Sequence, residues 1–472
     1  MRKQSIILLV LVIAFRSVEV IYAWPTAETV IDERNSKPFV QEVLPIDKVW
    51  AGHPVGFFLM TCPPRQYVAY YNSDRKMMVG MRLLEETTWK LYHPVSKTDG
   101  SARYLKNESS TILGWDSHNY ITMKLDSKGY VHLSGNMHCN ALTYFRSEKP
   151  YDITTLKQVE AMVGRDEDMT TYPKFKIGPG GELIFHYRFG KSGSGNEIYN
   201  VYDVEKQTWS RLLDKSLTDG QGKMNAYILG PLRGPDNWYH ISWLWRDTPD
   251  CATNHDLSYL KSKDLITWQT AAGDNVELPI TIDTKGAIVD PIGVNGGIIN
   301  GSGQIGFDSR RRVVLSYHKF DNDGKTQAYT ARFEDGKWVI RQLSNWDYRW
   351  EFSGGGSISN KVRLSAISAR QDGLLELDYS NFKHGKGTWL IDSEKLKVCG
   401  KVLKSRKLPE ELIKPVNTFE GMEVHFGRDS GEKRDRNFYV LRWETLGRNR
   451  DLPRTGALPE PSELKLYKIS LR

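Results

Sequence analysis

The sequence predicts an all-β fold of the propeller type, built as a single domain. Short apolar and aromatic segments recur along nearly the whole chain, and each follows a turn rich in Gly, Asp and Asn. Six such segments begin at Tyr130, Glu182, Trp238, Val313, Leu374 and Phe438. Their spacing of roughly fifty to seventy residues is typical of propeller blades that carry inserted loops.

A second recurring element ends in tryptophan and supports the same fold. It occupies residues 203–209, 263–268 and 335–338, where each copy predicts a hairpin turn that leads into an outer strand. Helical patterns are nearly absent, and the best one is a short stretch at residues 152–162. A β-sandwich with long loops is the structural alternative, but repetition along the chain favours a propeller. No Pro/Ser-rich or low-complexity linker divides the sequence, which predicts one domain.

The N-terminus has the pattern of a secretory signal peptide. Two basic residues precede an apolar run at residues 6–15 that is too short to cross a bilayer, and Ala23 is a small residue at a suitable cleavage point. We therefore expect a signal peptide at residues 1–23, a mature catalytic domain at residues 24–472, and secretion to the periplasm or the extracellular space.

The charge of the chain indicates its class of partner. The formal net charge is +8. Fixed positive charge outside the cell suits acidic polysaccharides that carry uronate or sulfate groups. The sequence contains no basic helix, zinc finger or Lys/Arg run of the kind that nucleic-acid-binding proteins use. We expect a monomer that binds an acidic polysaccharide, and neither nucleic acid nor a membrane.

The strongest candidates for chemistry are His118, His138, Tyr172 and Arg188. His118 begins one predicted strand and His138 ends the next, so the hairpin between them places both imidazoles on the same side of the sheet. Tyr172 and Arg188 hold the corresponding positions in the following pair of strands, and a Gly/Ser loop at residues 190–196 comes after them. From spacing alone, ordinary packing explains these residues as well as a catalytic site does.

These residue types match the needs of elimination beside a uronate. The substrate carboxylate must be neutralised before the adjacent proton leaves, and arginine or protonated histidine does this without a metal. Histidine or tyrosine then serves as the base, and tyrosine can donate a proton to the departing oxygen. Glycoside hydrolysis would instead need a pair of carboxylates, and no Asp or Glu occupies these strand-end positions.

A second set of residues predicts a structural zinc site. Cys251 and His255 lie close together in one loop, and His240 and His318 belong to neighbouring predicted strands. Three imidazoles and one thiolate suit tetrahedral zinc with no open position for water. The alternative is a free buried cysteine with unrelated histidines. No cofactor is expected for catalysis itself.

Further residues are predicted to line a substrate groove. Asn119 and Asn136 adjoin the two histidines in the sequence, while Asn225, Tyr227 and Arg246 follow predicted strand ends. Ordinary packing explains these positions equally well.

Residues 129–138, together with His118 upstream, resemble the BNR-type seven-bladed propeller polysaccharide lyases, and especially the ulvan lyases. The likeness extends over residues 50–330 and is weaker beyond them. Further matching stretches are residues 172–175, 187–188, 200–209 and 245–250.

The resemblance implies a seven-bladed propeller and a lyase that cuts at a uronate in a rhamnose-containing, usually sulfated, algal polymer. His118 and His138 match the paired site histidines of that family, Tyr172 its catalytic tyrosine, and Arg188 its carboxylate-neutralising arginine. The resemblance also supports a structural metal near Cys251. We expect Tyr172 to be the proton donor and one candidate for the base, with either histidine as the other base candidate. Arg188 would neutralise the carboxylate together with one histidine, and the sequence does not separate the two histidine roles.

Three alternatives stay open at this point. One is a lyase for rhamnose–glucuronate linkages in another glycan. Another is a sialidase-like propeller hydrolase, which needs an arginine cluster and repeated Ser-x-Asp-x-Gly-x-x-Trp boxes, and the sequence carries only loose echoes of these boxes. The last is a glycan-binding propeller without catalysis, which would tolerate changes at Tyr172.

Overall fold

The computed structural model describes residues 29–34, 36–98, 110–431 and 437–471, so the predicted signal peptide lies outside it. Strands dominate this part of the chain, and its helical segments are single 3-10 turns at Ile153–Thr155, Cys251–Thr253 and Glu410–Leu412. The all-β prediction is confirmed, whereas the short helix expected at residues 152–162 is reduced to the first of these turns. No helix among the described residues is long and apolar enough to span a membrane.

The strands are numbered in chain order. The first eleven are β1 (Thr29–Glu33), β2 (Pro38–Val49), β3 (Phe58–Cys62), β4 (Arg65–Tyr71), β5 (Met77–Leu83), β6 (Lys90–Tyr92), β7 (Ile121–Leu125), β8 (Val131–Gly135), β9 (His138–Asn140), β10 (Tyr144–Ser147) and β11 (Leu156–Gln158). The next ten are β12 (Thr170–Ile177), β13 (Leu183–Lys191), β14 (Ser194–Asp203), β15 (Thr208–Arg211), β16 (Asn225–Arg233), β17 (Tyr239–Arg246), β18 (Asn254–Ser262), β19 (Trp268–Gln269), β20 (Asn275–Val276) and β21 (Ile288–Asp290). The remainder are β22 (Gln304–Phe307), β23 (Val313–Phe320), β24 (Thr326–Glu334), β25 (Lys337–Gln342), β26 (Val362–Leu364), β27 (Ser368–Ala369), β28 (Leu375–Asn381), β29 (Gly385–Asp392), β30 (Lys397–Lys404), β31 (Met422–Arg428), β32 (Asn437–Leu446) and β33 (Ser462–Leu471).

Most strands pair with their sequence neighbours in antiparallel meanders of four. Three such meanders are β3-β4-β5-β6, β7-β8-β10-β11 and β22-β23-β24-β25. Strands β12–β15 and β16–β19 form two further groups, which one parallel contact between Gly195 and Asn225 joins into a larger sheet. Strands β26, β28, β29 and β30 form the next group, and β1 adds to its edge in parallel with β30. Short turns connect successive strands, as the turn-and-strand pattern of the sequence predicts.

The two ends of the described chain meet in one sheet. Its order is β2-β33-β32-β31, and β2 runs antiparallel to β33 from Pro38↔Leu471 to Val49↔Ser462. Alternate residues of β33 are buried, so this strand presents Leu464 and Leu466 to a core that also contains Leu44 from β2. The strand β2, near the start of the described chain, thus completes the last sheet.

The central strands of the meanders are buried on both faces. All eight residues of β17 are buried, as are all five of β8, because each sheet packs against its neighbours. One shared core joins the first two meanders through residues such as Tyr67 and Phe145. Since the strand interiors serve packing, polar side chains for chemistry must come from strand ends and loops.

The tryptophans of the second recurring element lie where the pattern predicts. Trp209, Trp268 and Trp338 belong to β15, β19 and β25, which pair onto the outer side of β14, β18 and β24. All four cysteines of the chain are free.

We expect Leu464→Ala to lower the free energy of unfolding by about 2–5 kcal/mol, because Leu464 is fully buried where the chain ends join. Denaturant unfolding of the purified variant measures this loss. The matched control is Glu463→Ala, at the exposed neighbouring position, with a change within about 0.5 kcal/mol. Equal stability of both variants would contradict the described joining of β2 and β33.

Candidate functional site

His118 and His138 lie side by side at one end of the second meander. His118 is in the loop before β7 and His138 is the first residue of β9, and their ring centroids are 4.5 Å apart. Both side chains are about one quarter exposed. The structure therefore brings together the two histidines that the sequence pattern singled out.

Asp116 holds this pair of histidines. Nδ1 of His118 lies 2.7 Å from one carboxylate oxygen of Asp116, and Nδ1 of His138 lies 2.5 Å from the other. Burial raises the pKa of Asp116, but the hydrogen bonds from the two histidines outweigh it and hold that pKa well below its usual range. Because both Nδ1 atoms face this carboxylate, Nε2 is the nitrogen of each ring that is left for a ligand.

A second carboxylate, that of Asp451, contacts only one of the two histidines. Its Oδ2 lies 3.2 Å from Nδ1 of His118. The loop after β32 that carries Asp451 is anchored by hydrogen bonds from Ser117 Oγ at 2.8 Å and from the backbone N–H of Ser357 at 2.8 Å. Burial lowers the pKa of His118, but the bonds to Asp116 and Asp451 prevail and raise it to about 9. His118 is therefore a cation at neutral pH.

Tyr172 lies against both imidazoles. Its ring centroid is 5.9 Å from that of His118 and 6.0 Å from that of His138. The register of β12 against β13 shifts between Thr171 and Lys174, and Tyr172 within this bulge has φ of 57°. A β-bulge changes the direction in which a side chain points. A left-handed backbone conformation at a non-glycine residue is energetically unfavourable and is found often at functional sites. Burial, together with the neighbouring Tyr227, raises the pKa of Tyr172, so its hydroxyl is protonated at neutral pH.

Tyr227 and Arg246 continue the site beyond Tyr172. The rings of Tyr172 and Tyr227 have centroids 6.2 Å apart. The Tyr227 hydroxyl lies 2.7 Å from Ser192 Oγ, and Arg246 Nη1 donates to it at 3.2 Å. Burial raises the pKa of Tyr227, but Arg188 and Arg246 outweigh this and lower it.

Arg188 lies behind the two tyrosines. Its guanidinium carbon is 5.1 Å from the ring centroid of Tyr172 and 5.7 Å from that of Tyr227, and its side chain is almost fully buried. Its Nη2 contacts Cys139 Sγ at 3.8 Å, while Nε and Nη1 have no hydrogen-bond partner among the described residues. Arg188 does not line the cavity itself, and its expected contact with a substrate carboxylate stays a prediction. A buried, unpaired cation at this place favours negative charge on the tyrosines.

A cavity of about 220 Å³ opens onto these groups. Its wall includes His118, His138, Tyr172, Tyr227 and Arg246. Residues 355–358, Asn300, Asn360 and Arg448 also line it. Cationic, phenolic and imidazole groups thus converge on one space that a sugar unit can enter.

Two of the predicted groove residues, Asn136 and Asn225, bind backbone groups. Asn136 donates from Nδ2 to the carbonyls of Ser110 and Ile112, at 2.8 and 3.0 Å. Asn225 accepts from the backbone N–H of Gly193 at 2.5 Å, which fixes the loop that carries Ser192. Asn119 is also buried, and none of the three asparagines lines the cavity. Tyr227 and Arg246 are on the cavity wall, whereas substrate contacts of Asn119, Asn136 and Asn225 stay a prediction.

The predicted zinc ligands are not brought together. His240 is the second residue of β17 and Cys251 follows the far end of that strand, which separates them by about 20 Å of strand length. His240 places Nδ1 2.6 Å from the Tyr259 hydroxyl and Nε2 3.0 Å from Asp236. The four-residue zinc site is thus wrong as predicted, because two of its members lie at opposite ends of a strand.

The other predicted ligands also have partners of their own. His255 lies between Asp247 and Asp256, at 3.0 and 2.8 Å, and His318 Nδ1 lies 3.0 Å from the carbonyl oxygen of Gly297. Cys251 is packed in an apolar cluster with tryptophans. Among the described residues, Asp116, His118 and His138 are the one group of three His, Cys, Asp or Glu side chains whose ligand atoms lie within 4.8 Å of one another. A metal ion there would have to replace both imidazole–carboxylate hydrogen bonds.

Sequence reasoning missed Asp116 and Asp451. A local sequence signal for Asp116 was present, because an aspartate side chain can accept a hydrogen bond from the backbone N–H two residues later. The backbone N–H of His118 does donate to the Asp116 carboxylate at 2.8 Å. Asp451 had none, because it belongs to the opposite end of the chain.

Known proteins with related sequences and structures were identified by comparison. The ulvan lyase short isoform of Alteromonas sp. (strain LOR) is 37% identical over 60 residues, which are 13% of this chain and 11% of that protein. The aligned segment therefore spans about a tenth of the length of this curated relative.

Two solved structures cover nearly the whole fold. The polysaccharide lyase Uly1 has a TM-score of 0.55 at 14% identity, over 91% of this chain and 99% of its own. A PL25 ulvan lyase has a TM-score of 0.59 at 13% identity, over 91% of this chain and 97% of its own. At such identities the likeness establishes the fold.

A family model covers the part of the chain that holds most of the site. It is described as a BNR repeat-containing family member and matches residues 65–346. Because this match covers more than half of the 472 residues, the chain belongs to the BNR repeat-containing family.

Proposed function

We propose that this protein is a polysaccharide lyase that cleaves a uronate-containing, ulvan-like polysaccharide by β-elimination. The observation that carries the proposal is the Asp116-bridged pair of His118 and His138, with Tyr172 against both rings at a single cavity. The likeness to ulvan lyases supports it, and one of the solved ulvan lyases holds the oligosaccharide -[GlcA(1-4)Rha3S]-. A rhamnose–glucuronate linkage in another glycan would suit the same groups.

The charge on the substrate carboxylate is neutralised first in this mechanism. His118 is suited to that role because Asp116 and Asp451 both stabilise its protonated form. Arg246 adds a second cation on the cavity wall, since its guanidinium is bound to backbone carbonyls and has no carboxylate partner among the described residues. Neutralisation lets the carbon next to the carboxylate lose its proton without placing two negative charges side by side.

His138 and Tyr172 then move the protons. With Nδ1–H of His138 donated to Asp116, the lone pair of Nε2 takes the proton from the carbon beside the carboxylate. The electron pair forms a carbon–carbon double bond as the glycosidic carbon–oxygen bond breaks. Tyr172 donates its phenolic proton to the departing oxygen, which leaves a free hydroxyl on one product. The proton on His138 returns to the phenolate through solvent, which closes the cycle.

Arg188 acts through the tyrosines in this scheme. Its buried guanidinium faces the rings of Tyr172 and Tyr227, where it stabilises the phenolate that forms when Tyr172 gives up its proton.

A hydrolase mechanism has less support from the same residues. Hydrolysis needs two carboxylates that flank the scissile bond. Asp116 and Asp451 both contact His118. Burial raises the pKa of Asp451, but the hydrogen bond from His118 outweighs burial and lowers that pKa to about 2. Neither carboxyl is therefore suited to donate a proton as a general acid at neutral pH.

We further propose a seven-bladed propeller and a secreted monomer. The four-stranded groups described above, with β2 as the closing strand of the last, support seven blades. The basic charge and the sequence pattern of residues 1–23 support export. Residues 24–472 would then form one catalytic domain.

The lyase activity is tested by the absorbance of the new double bond during incubation with ulvan and with other uronate polymers. We expect Tyr172→Phe to lower kcat by at least about a hundredfold, because the variant lacks the proton that the leaving oxygen needs. The matched control is Tyr348→Phe, a loop tyrosine outside the cavity, which should leave kcat unchanged. New reducing ends without absorbance would indicate a hydrolase, and binding without any product would indicate a glycan-binding protein.

The role of His118 predicts a pH effect. Asp451→Asn removes one of the two carboxylates that favour the imidazolium, so it should lower the pKa of His118 from about 9. The alkaline limb of the kcat/KM profile should then move down by about one pH unit. Asp323→Asn, in an exposed turn, is the control. An unchanged alkaline limb in Asp451→Asn would contradict the assignment of His118 as the cation.

Metal content is tested separately. Because the four predicted zinc ligands do not converge, we expect the purified protein to hold no equivalent of zinc that depends on Cys251. Metal analysis of the wild type and of Cys251→Ser, with thermal unfolding in the presence and absence of a chelator, measures this. One equivalent of zinc that Cys251→Ser removes would contradict it.

A further inference from the structure

Cys139 is the middle residue of the short strand β9 and has an unusual backbone conformation. Its two neighbours in the sequence pair with adjacent residues of β12, Thr171 and Thr170, so Cys139 is the extra residue of a β-bulge. Its φ is 63°, in the left-handed region. At a non-glycine residue this conformation is unfavourable and persists only where the surrounding structure imposes it. The contacts of Cys139 therefore indicate what the bulge is for.

Three hydrogen bonds fix the position of the Cys139 sulfur. The backbone N–H of Cys139 donates to Thr171 Oγ1 at 2.8 Å, and the Thr171 hydroxyl donates to Cys139 Sγ at 3.6 Å. The thiol itself donates to the carbonyl oxygen of Gly190 at 3.6 Å. Thr171 is fully buried and directly precedes Tyr172 in β12. The strand that carries Tyr172 thus also holds the sulfur in place.

The sulfur faces the buried guanidinium of Arg188. Nη2 of Arg188 donates to Cys139 Sγ at 3.8 Å, while the guanidinium carbon lies 5.1 Å and 5.7 Å from the ring centroids of Tyr172 and Tyr227. Sulfur is a weak but polarizable acceptor, and a charged donor strengthens the hydrogen bonds that it makes. One end of the guanidinium is therefore fixed by Cys139, beside the two tyrosine rings.

We propose that Cys139 is a positioning residue that holds the Arg188 guanidinium at the rings of the two tyrosines. This inference rests on the proposed function, in which Arg188 stabilises the phenolate that forms on Tyr172. Cys139 does not line the cavity, so it acts through Arg188 and not on the substrate. Without the sulfur, Nη2 loses an acceptor and the guanidinium gains room to turn away from the rings. Electrostatic stabilisation depends on a fixed placement of the charge, so such a displacement slows the reaction.

The test compares Cys139→Ala with the wild type in steady-state kinetics and in the titration of Tyr227. With ulvan as substrate, we expect kcat to fall by about tenfold and KM to change by less than about twofold, because the cavity wall is unchanged. Burial raises the pKa of Tyr227, but Arg188 and Arg246 outweigh burial and lower it. Displacement of Arg188 should therefore raise this pKa toward the ordinary tyrosine value of about 10. NMR of the protein with ¹³C-labelled tyrosine measures the titration, and Tyr227→Phe assigns the signal.

Cys399→Ala is the matched control. Cys399 is also partly buried, and its thiol also donates to a backbone carbonyl at 3.6 Å, but it lies in β30, in a different sheet. This variant should leave kcat and the titration of Tyr227 unchanged. Cys139→Ser keeps a hydroxyl acceptor next to Arg188, so its kcat should lie between those of the wild type and Cys139→Ala.

Thermal unfolding of each variant checks that the fold is retained, and Cys139→Ser provides the same two measurements if Cys139→Ala does not fold. Wild-type kcat in Cys139→Ala, or a lower kcat with an unchanged titration of Tyr227, would overturn the positioning role. If the wild type forms no unsaturated product but Cys139→Ala still raises the pKa of Tyr227, then Cys139 does position Arg188 and the proposed lyase function fails.

Discussion

The hydrogen bonds from two histidines to the single carboxylate of Asp116 are the interaction on which the candidate site depends. They hold the rings of His118 and His138 at 4.5 Å and direct both Nε2 atoms away from the carboxylate. Without that anion, the positive charge of one protonated imidazole would disfavour protonation of the other imidazole. With it, the charge on His118 is balanced by a carboxylate that both rings share.

The second carboxylate makes the two histidines different. Asp451 contacts His118 alone, and it reaches the site from the loop between β32 and β33. The sheet that holds this loop is completed by β2 near the start of the chain. The pairing of β2 with β33 therefore belongs to the same sheet as the loop that brings Asp451 to His118.

The sequence predicted the parts of this site that local pattern controls. Hairpins between alternating strands bring strand ends together, which is why His118, His138 and Tyr172 could be placed at one location. The asparagines are harder to assign from sequence, because a polar residue at a turn often satisfies the backbone, as Asn136 and Asn225 do. The zinc prediction failed because His240 and Cys251, although close in the sequence, are separated in space by the length of the extended strand β17. Asp451 could not be found, since no spacing rule relates residues more than three hundred positions apart.

The most direct test of this account is an NMR pH titration of the ring nitrogens of His118 in the ¹⁵N-labelled protein. The account predicts that Nδ1 and Nε2 of His118 both stay protonated through neutral pH and that the ring titrates near pH 9. A His118 ring that loses its proton near the ordinary histidine value of about 6.5 would contradict the assignment of this residue as the cation that faces the substrate carboxylate.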